Sequence, residues 1–410
     1  MSACDCATGQ LQPVDQAIAA LLAQAPPLPA VEQVSIHDCA GRVLAEVAHA
    51  PRPMPAWDNS AMDGYALRAA DLPAEGGWLP LAGRVAAGDT RGQRLRAGHA
   101  SRIFTGAPLP HGADTVVAQE QARVEGDRVW LEGAPLGNHV RRRGEEFSAG
   151  DPLLAAGQRL RPQDVGLLAS LGIANVPVYR PLRVALLSSG NELRDPGEEL
   201  APGQIYNANY FSLSALLRGW GCEVDDGGVL ADELLASRDA LSVVAAEWDL
   251  IMTSGGVSVG EEDHLKQAVR DLGQLHLWRL AIQPGKPFAF GYVAGTPWLG
   301  LPGNPMAALL TAMVVARPFI LRAQGREQIL PQTVPVAAGF DWPKANRRRQ
   351  YLRANLRYAE GGLCAVPVTR QGSAMLTGAC LAEGLIIVEV NRTLREGETV
   401  EFLPFSELLS

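Results

Sequence analysis

Between residues 183 and 321, short apolar runs alternate with segments of helical periodicity. The apolar runs at 183–187 and 249–253 are separated by a helical pattern at 233–247, and another helical pattern covers 305–321. The runs do not alternate with polar residues, which is typical of strands that are buried on both faces. This order predicts a doubly wound, mostly parallel α/β sheet that is covered by helices on both sides.

The flanking sequence predicts three further parts. Residues 51–149 are dense in Gly and Pro and carry short apolar runs, which indicates a β-rich second domain. Residues 9–50 and 150–180 each carry a short helical pattern beside extended sequence, and we expect them to form one discontinuous N-terminal domain. In the first of these stretches, Asp15 can cap a helix that runs to about residue 24. We assign 181–330 to the α/β domain, and the strand patterns of 331–410 predict a small β-barrel-like C-terminal domain. Several domains are expected of 410 residues, because single cores rarely grow past about 250–300 residues.

Composition and charge exclude several functional classes. The chain carries 36 Lys and Arg against 44 Asp and Glu, a net charge of −8, which argues against a nucleic-acid binder. No cation precedes Arg42, so a secretory signal is not expected. The apolar stretch 307–316 is shorter than the roughly 20 residues of a membrane span. We therefore expect a cytoplasmic protein that binds no membrane and holds its six cysteines as reduced thiols.

Three glycine-rich or proline-rich loops follow predicted strands. They begin at Ser188, Ser254 and Leu301, and the second contains Gly255, Gly256, Ser258 and Gly260. The third contains Pro302, Gly303 and Pro305. Each loop alone is consistent with an ordinary tight turn before a helix. Because the carboxyl ends of parallel strands share one edge, three such loops together favour a crevice that binds phosphate or another oxyanion.

Acidic residues collect at the same predicted edge. Glu192, Asp232 and Asp263 each follow a strand. Mg²⁺ is commonly held by one or two carboxylates together with substrate phosphates, so a magnesium site is one interpretation. Helix capping by Asp232 and Asp263 is the other, since both precede helical patterns. The two roles are compatible with each other.

Charged and turn-forming residues outside the sheet form further candidate segments. The string from Asp58 to Ala66 holds two acids, residues 102–108 place Thr105 at a Gly/Pro turn, and residues 141–146 set three arginines beside two glutamates. A basic cluster near the C-terminal domain contains Lys344, Arg347, Arg348, Arg349 and Arg353. Solvated surface is the ordinary interpretation of charge runs, and an entry path for an anionic substrate is the alternative.

In this order, the segments closely resemble the molybdopterin molybdenumtransferase family, called MoeA in bacteria and the E domain of gephyrin in animals. The resemblance runs from about residue 11 to residue 405. It rests on the strings at 58–66, 102–108, 141–145, 254–260 and 301–305, and on Pro284-Gly285-Lys286-Pro287 and Gln371-Gly372-Ser373.

The resemblance implies a reaction, its cofactors and an assembly. Molybdenum from molybdate would be inserted into adenylylated molybdopterin, AMP would be released, and Mg²⁺ would assist. Family members are homodimers whose site lies between the sheet domain of one subunit and the β-rich domain of the other. Candidate partners are a molybdopterin adenylyltransferase and molybdoenzyme-maturation proteins.

The resemblance also implies roles for the individual residues that match the family motifs. Catalytic positions would be Asp63, Thr105, Glu192, Asp232 and Asp263, and the last three would also hold the metal. Substrate-binding positions would be Arg141, Glu146, Ser254, Gly255, Gly256, Ser258, Gly260, Arg279, Lys286, Pro302, Gly303, Pro305, Arg348 and Ser373.

Four positions depart from the bacterial family pattern. Asn191 and Glu146 replace aspartates, and Arg279 and Gln283 replace lysines. Gln283 lacks a charge that would attract molybdate. Arg279 lies four residues earlier, a spacing that puts both side chains on the same face of a strand, and we expect it to take over part of that role.

Two other functions fit parts of the sequence. The sheet domain alone resembles molybdopterin adenylyltransferases, which act one step earlier, but the additional domains argue against that activity. A non-catalytic scaffold is the second alternative. The retained acids Glu192, Asp232 and Asp263 favour an enzyme.

Overall fold

A computed structural model describes residues 11–89, 91–257, 264–359 and 362–409. The chain divides into two compact units. The first unit comprises Met1–Glu46, Ala156–Val165 and Ala174–Ser410, and the second comprises Val47–Ala155 and Gly166–Ile173. The domain boundaries expected from the sequence stay a prediction.

The described elements are numbered in chain order. The strands of the first half are β1 Val31–Ser35, β2 Ala48–His49, β3 Asn59–Ser60, β4 Gly64–Leu67, β5 Gly77–Val85, β6 Ala100–Ile103, β7 Thr115–Ala118, β8 Ala122–Glu125, β9 Arg128–Leu131, β10 Val140–Arg141, β11 Pro152–Leu154 and β12 Asn175–Tyr179. Those of the second half are β13 Arg183–Ser189, β14 Leu193–Arg194, β15 Ile205–Tyr206, β16 Glu223–Leu230, β17 Leu250–Ser254, β18 Gly273–Arg279, β19 Ile282–Gln283, β20 Pro287–Val293, β21 Thr296–Leu301, β22 Val334–Ala338, β23 Arg349–Ala359, β24 Gly362–Pro367, β25 Gly384–Val388 and β26 Thr399–Pro404. The α-helices are α1 Val14–Leu22, α2 Pro162–Ser170, α3 Ala208–Gly219, α4 Leu234–Glu247, α5 His264–Leu272, α6 Pro305–Thr311, α7 Arg317–Ala323, α8 Thr377–Cys380 and α9 Phe405–Leu408.

A six-stranded sheet in the order β16-β13-β17-β21-β20-β18 forms the centre of the first unit. The pairs β13–β16, β13–β17 and β17–β21 are parallel, whereas β20 runs antiparallel to β18 and β21. Side chains of β13 alternate between two separate cores: Val184 and Leu186 lie in one, and Ala185 and Leu187 in the other. The expectation of a mostly parallel sheet covered on both faces is confirmed.

The strand order creates a point where the chain reverses direction across the sheet. From β13 the chain passes through α3 to β16 on one side, and then through α4 to β17 on the other. The strands β13 and β17 are therefore neighbours whose following loops diverge. In open α/β sheets, ligands bind in the crevice that this divergence opens at the carboxyl ends.

The C-terminal strands close into a barrel, as the sequence predicted. Strand β23 pairs with both β24 and β25, and β22 and β26 complete the circuit β23-β24-β22-β26-β25. The short strand β19 joins this barrel beside β23, in parallel register. Residues 282 and 283 of the α/β segment are thereby fixed to the barrel.

Helix α1 packs its apolar face on the core of the first unit. Val14, Ala17 and Leu21 are buried in the same cluster as Phe319 and Ile320 of α7. The sequence suggested that Asp15 caps this helix, and that expectation is wrong. The N-cap residue is Pro13, with no side-chain capping bond.

The Asp15 carboxylate instead binds a guanidinium of the barrel. It accepts two hydrogen bonds from Arg349, at 2.7 and 2.8 Å, and Arg349 Nε also donates to Glu389 at 2.9 Å. These bonds lower the pKa of Asp15 below its usual value. Arg349 thus ties α1 to the barrel across most of the chain length.

Residues 305–323 form one continuous buried helix, in which a π-helical turn at Ala312–Ala316 joins α6 to α7. Among the described helices, this one is long and apolar enough to cross a membrane, but 89% of its most apolar stretch is buried inside the protein. Arg317 lies within this helix, as the helical pattern over 305–321 predicted, and is only 4% exposed. The helix is the core helix of the sheet domain.

The second unit is built from strands. Its main sheet has the order β7-β4-β6-β5-β9-β8, in which β5 and β6 are parallel and the other pairs are antiparallel. Two short ladders, β3–β10 and β2–β11, hold its loops. The prediction that this part of the chain is β-rich is confirmed.

Candidate active site

A cavity of about 960 Å³ opens at the carboxyl edge of the central sheet. Its wall includes the last residues of β13 and β17, Ser189 and Ser254, and Pro302 directly after β21. It thus lies where the strand order predicts a ligand site. The predicted residues that line it are Glu192, Ser254, Gly255, Gly256, Lys286, Pro302, Gly303, Pro305, Arg348 and Ser373.

The loop after β17 requires glycine at two consecutive positions. Gly255 has φ +91°, and a Cβ there would lie 2.5 Å from the carbonyl oxygen of Ser189. Gly256 has φ +65°, and a Cβ there would lie 2.7 Å from Leu265. Side chains are excluded at both positions, so main-chain groups form this part of the wall. Such a surface allows close approach of an anion.

Two helices begin at the cavity. Asn207 caps α3, with its side-chain oxygen accepting from the Tyr210 amide at 3.3 Å, and Asn304 precedes α6. Both residues line the cavity. The N-termini of helices carry positive potential, which favours a negatively charged ligand.

Asn209 connects two of the loops that form the wall. Its Nδ2 donates to Ser254 Oγ and to the Gly303 carbonyl, both at 2.7 Å. Ser254 Oγ lies 3.3 Å from the Pro302 carbonyl. Asn209 is 9% exposed, so these bonds form in a site that excludes most water. They fix the ends of β17 and β21 relative to each other.

Two cations face the cavity. Lys286 is exposed and Arg348 is half-buried. In the described part of the chain, neither forms an ion pair with a carboxylate. Their charge is therefore available to an anion in the cavity.

Arg279, which the sequence placed beside this site, does not line the cavity. It is exposed at the end of β18, where it pairs with Pro287 of β20. Lys286 follows the turn between these strands and does line the cavity. A four-residue spacing could not place Arg279 beside Gln283, because β18 ends at Arg279 and Gln283 belongs to a strand of the barrel sheet.

The acidic residues follow two neighbouring strands, β13 and β16. Glu192 lines the cavity, and Asp232 is exposed in the loop after β16, where its amide donates to Asn191 Oδ1 at 3.3 Å. Helix α4 has Glu233 as its N-cap residue and no side-chain capping bond, so Asp232 does not cap it. Asp263 lies outside the described residues, as do Ser258 and Gly260.

The carboxylates of the described residues fit Mg²⁺ only if oxygens of the substrate complete the coordination of the ion. Within the described ranges, no group of three or more His, Cys, Asp or Glu side chains could hold a metal alone. Glu192 offers an exposed carboxylate at the cavity wall. Asp232 is also exposed but lies outside the wall, and its amide donates to Asn191, the neighbour of Glu192. One or two carboxylates plus phosphate oxygens and water are the usual ligands of Mg²⁺.

The loop that carries Ser373 is fixed from inside the barrel. Arg353 is 1% exposed and donates from Nη2 to the carbonyls of Arg370 and Gly372, at 2.8 and 3.3 Å. Gln371 exchanges hydrogen bonds with the Arg353 main chain. The Ser373 carbonyl in turn accepts from the amide of Ala307 in the first turn of α6 at 3.2 Å. Arg353, assigned from sequence to a basic surface, is a buried structural residue.

The second unit holds the remaining predicted residues. Asp63 accepts from the amide and the hydroxyl of Thr105, at 2.8 and 2.9 Å, and these bonds lower the pKa of Asp63. Arg141 pairs with Asn59 in the β3–β10 ladder, and the amide of Glu146 donates to the Met54 carbonyl at 3.0 Å. Arg141 ends β10 and Glu146 lies in the loop that follows, and both side chains are exposed.

Sequence reasoning missed the residues that position the site. Asn207, Asn209 and Gln371 hold loops in place, and each bond joins residues far apart in the chain or in different elements. An asparagine before a helical pattern is a capping signal that identifies Asn207. No local pattern identifies Asn209, and Gln371 belongs to the family string Gln371-Gly372-Ser373 but was given no role from it.

Family models match most of the chain. The "MoeA N-terminal region (domain I and II)" matches residues 12–172, a "Probable molybdopterin binding domain" matches 185–322, and the "MoeA C-terminal region (domain IV)" matches 335–405.

Curated relatives and solved structures are similar over nearly the full length. The molybdopterin molybdenumtransferase of Haemophilus influenzae is 39% identical over 401 residues, covering 97% of this chain and 99% of its own. Molybdopterin molybdenumtransferase 2 of Mycobacterium tuberculosis is 38% identical over 80% of this chain and 84% of its own. The crystal structure of a molybdopterin biosynthesis MoeA protein from Pyrococcus horikoshii has a TM-score of 0.79 at 32% identity, covering 97% and 99% of the two chains.

Proposed function

This chain belongs to the MoeA family of molybdopterin molybdenumtransferases, and on that premise we propose that it inserts molybdenum from molybdate into adenylylated molybdopterin. Family membership makes it an enzyme of molybdenum cofactor biosynthesis. The adenylylated form of the substrate, the release of AMP, the assistance of Mg²⁺ and a cytoplasmic location are parts of the proposal.

The observation that carries the proposal is the chemistry of the cavity wall. Its volume of about 960 Å³ suits a ligand of cofactor size. Main-chain groups of the loop after β17, two helix N-termini and the cations Lys286 and Arg348 all favour negative charge. Adenylylated molybdopterin and molybdate are both anions, and they share phosphate-like oxygens.

We assign complementary tasks to the residues of the wall. The Gly255–Gly256 loop would bind phosphate oxygens, and Lys286 and Arg348 would attract and orient the molybdate dianion. Glu192 of the wall and Asp232, which lies outside the wall in the loop after β16, would hold Mg²⁺, which when bound neutralises phosphate charge. No cysteine lines the described cavity, which agrees with a dithiolene that the substrate itself supplies.

We propose a homodimer whose subunits share the site. In this arrangement Asp63, Thr105, Arg141 and Glu146 of one subunit serve the cavity of the other. The support is the family membership together with the Asp63–Thr105 bonds, which hold an ionised carboxylate at the surface of the second unit. A molybdopterin adenylyltransferase would deliver the substrate, and molybdoenzyme-maturation proteins would receive the product.

Complementation of a bacterial strain that lacks this activity tests the function, with molybdate titrated in the medium. The chain should restore molybdoenzyme activity, and the purified protein should release AMP from adenylylated molybdopterin only when molybdate and Mg²⁺ are present. Lys286→Gln should impair both the restored molybdoenzyme activity and the AMP release. Lys344→Gln removes an exposed lysine outside the cavity and should impair neither. AMP release that does not depend on molybdate would refute the proposal.

A further inference from the structure

Gln283 and Arg348 meet at the wall of the cavity. Gln283 Oε1 accepts hydrogen bonds from Arg348 Nη2 at 3.2 Å and from Asn346 Nδ2 at 2.7 Å. Both Gln283 and Arg348 line the cavity. A single neutral oxygen therefore holds a guanidinium at the surface where an anion would bind.

The main chain fixes both partners before any ligand arrives. Strand β19 lies in parallel register with β23, with Gln283 opposite Gln350, and the Arg349 amide donates to the Ala281 carbonyl at 2.8 Å. Asn346 Oδ1 accepts from the amide of Arg348 at 3.0 Å. The contact is thus part of the junction between the α/β segment and the barrel, and does not depend on flexible surface chains.

The neutral acceptor has an electrostatic consequence. A carboxylate at position 283 would pair with Arg348 and cancel its charge, whereas the amide oxygen orients the guanidinium and leaves the charge intact. The one side-chain bond described for Arg348 engages a single N–H, so other donors remain for a ligand. Arginine recognises tetrahedral oxyanions through such paired donors.

We propose that Gln283 is a positioning residue that holds the Arg348 guanidinium as an oxyanion receptor in the cavity. The inference deepens the proposed function and rests on it for the identity of the oxyanion. Molybdate and the phosphate of the organic substrate share the required chemistry. From the sequence, Gln283 was interpreted as the loss of a positive charge. In the structure its side-chain oxygen accepts a hydrogen bond from a neighbouring cation, Arg348.

Calorimetric titration of the full-length protein with molybdate, and separately with inorganic phosphate, tests the proposal in a double-mutant cycle. Gln283→Met keeps the side-chain length and removes the acceptor, and we expect it to weaken binding of the recognised anion roughly three- to tenfold, the equivalent of one net hydrogen bond. In the Arg348→Met background the same change should alter affinity by less than about twofold. The matched control Gln274→Met, on the exposed face of β18, should have no effect.

The outcomes are separable. A change in the molybdate constant alone identifies molybdate as the oxyanion, and a change in the phosphate constant alone identifies the substrate phosphate. Unchanged binding of both anions in Gln283→Met overturns the proposal, as does an equal effect in the presence and absence of Arg348. Molybdate binding without any AMP release would refute the proposed function while leaving the positioning role in place.

A second variant covers the case in which Gln283→Met does not fold. Gln283→Glu keeps an acceptor for both donors but pairs its charge with Arg348. We expect a higher thermal unfolding temperature together with weaker binding of the recognised anion. Unchanged anion affinity in this variant would show that Arg348 is not the receptor.

Discussion

The side-chain amide of Asn209 joins two loops that are far apart in sequence, since its Nδ2 lies 2.7 Å from Ser254 Oγ and 2.7 Å from the Gly303 carbonyl oxygen. These bonds fix the carboxyl ends of β17 and β21 relative to each other before any ligand binds. A preformed wall of this kind reduces the ordering that binding requires.

Asn209→Ala should destabilise the protein, because it removes the donor to the buried Ser254 Oγ as well as the donor to the Gly303 carbonyl. We expect a loss of about 1–3 kcal/mol in the free energy of unfolding, measured by urea denaturation. Asn175→Ala, at an exposed position of β12, is the control and should change little. Equal stability of the two variants would contradict the bridging role of Asn209.

Asp63 should titrate below the ordinary aspartate pKa of about 3.9, because two donors of Thr105 stabilise its ionised form. The carboxyl titration is measurable by NMR. Thr105→Val removes the hydroxyl and keeps the amide, so the pKa of Asp63 should rise part of the way back.

The lowered pKa sets the sign of a stability effect. A depressed carboxyl pKa stabilises the folded state above the unfolded pKa, and that contribution is lost as pH falls through the folded pKa. The wild type should therefore lose more stability than Asp63→Asn when the pH is lowered from 5 to about 2. Parallel stability curves for the two proteins would argue against the Thr105 bonds.

Glu192→Gln and Asp232→Asn should each raise the Mg²⁺ concentration for half-maximal AMP release, and excess Mg²⁺ should partly restore the rate. Each change removes one anionic ligand and retains the size of the side chain. Glu199→Gln, an exposed glutamate outside the cavity wall, serves as the control. A Mg²⁺ dependence identical to that of the control would remove both residues from the metal site.

Mixed dimers test whether subunits share the site. At limiting Mg²⁺, Asp63→Asn and Asp232→Asn should each be nearly inactive alone. After subunit exchange, one site of the mixed dimer carries both changes and the other carries neither, so roughly a quarter of the wild-type activity should return in an equal mixture under random pairing. Exchange is followed with differently tagged subunits, and verified exchange without recovered activity would count against a shared site.

Gln283→Lys should lower the thermal unfolding temperature of the ligand-free protein, since it removes the acceptor of Arg348 and places a second cation beside it. A bound dianion would compensate both charges. Molybdate should therefore raise the unfolding temperature of this variant more than that of the wild type. Differential scanning calorimetry with and without molybdate decides the matter, and a variant as stable as the wild type without ligand would contradict the prediction.

Patterns within one segment predicted the elements of the fold well. The uniformly apolar run of β13 indicated a strand covered on both faces, and the glycines after β17 indicated a loop that only glycine can adopt. These signals are local, because burial and backbone conformation act on consecutive residues. The same reasoning placed the cavity at the correct edge of the sheet.

Contacts between distant segments were not predictable in this way. Gln283 and Arg348 are 65 residues apart and meet because β19 joins the barrel, which is a property of topology. Asp15 was expected to cap a helix because its local sequence permits it, yet the guanidinium of Arg349 offers two charge-assisted bonds. Arg279 was misplaced because a strand spacing was applied across a turn.

The bond between Asp15 and Arg349 can form only late in translation. The two residues are 334 positions apart, so at about 5–20 residues per second the ribosome makes Arg349 roughly 17–70 s after Asp15. Helix α1 has nine residues, too few to be stable alone in water, and the α7 surface that covers Val14, Ala17 and Leu21 is also translated late. During translation α1 therefore presents an uncovered apolar face to chaperones and proteases until α7, which ends at residue 323 of 410, has been made.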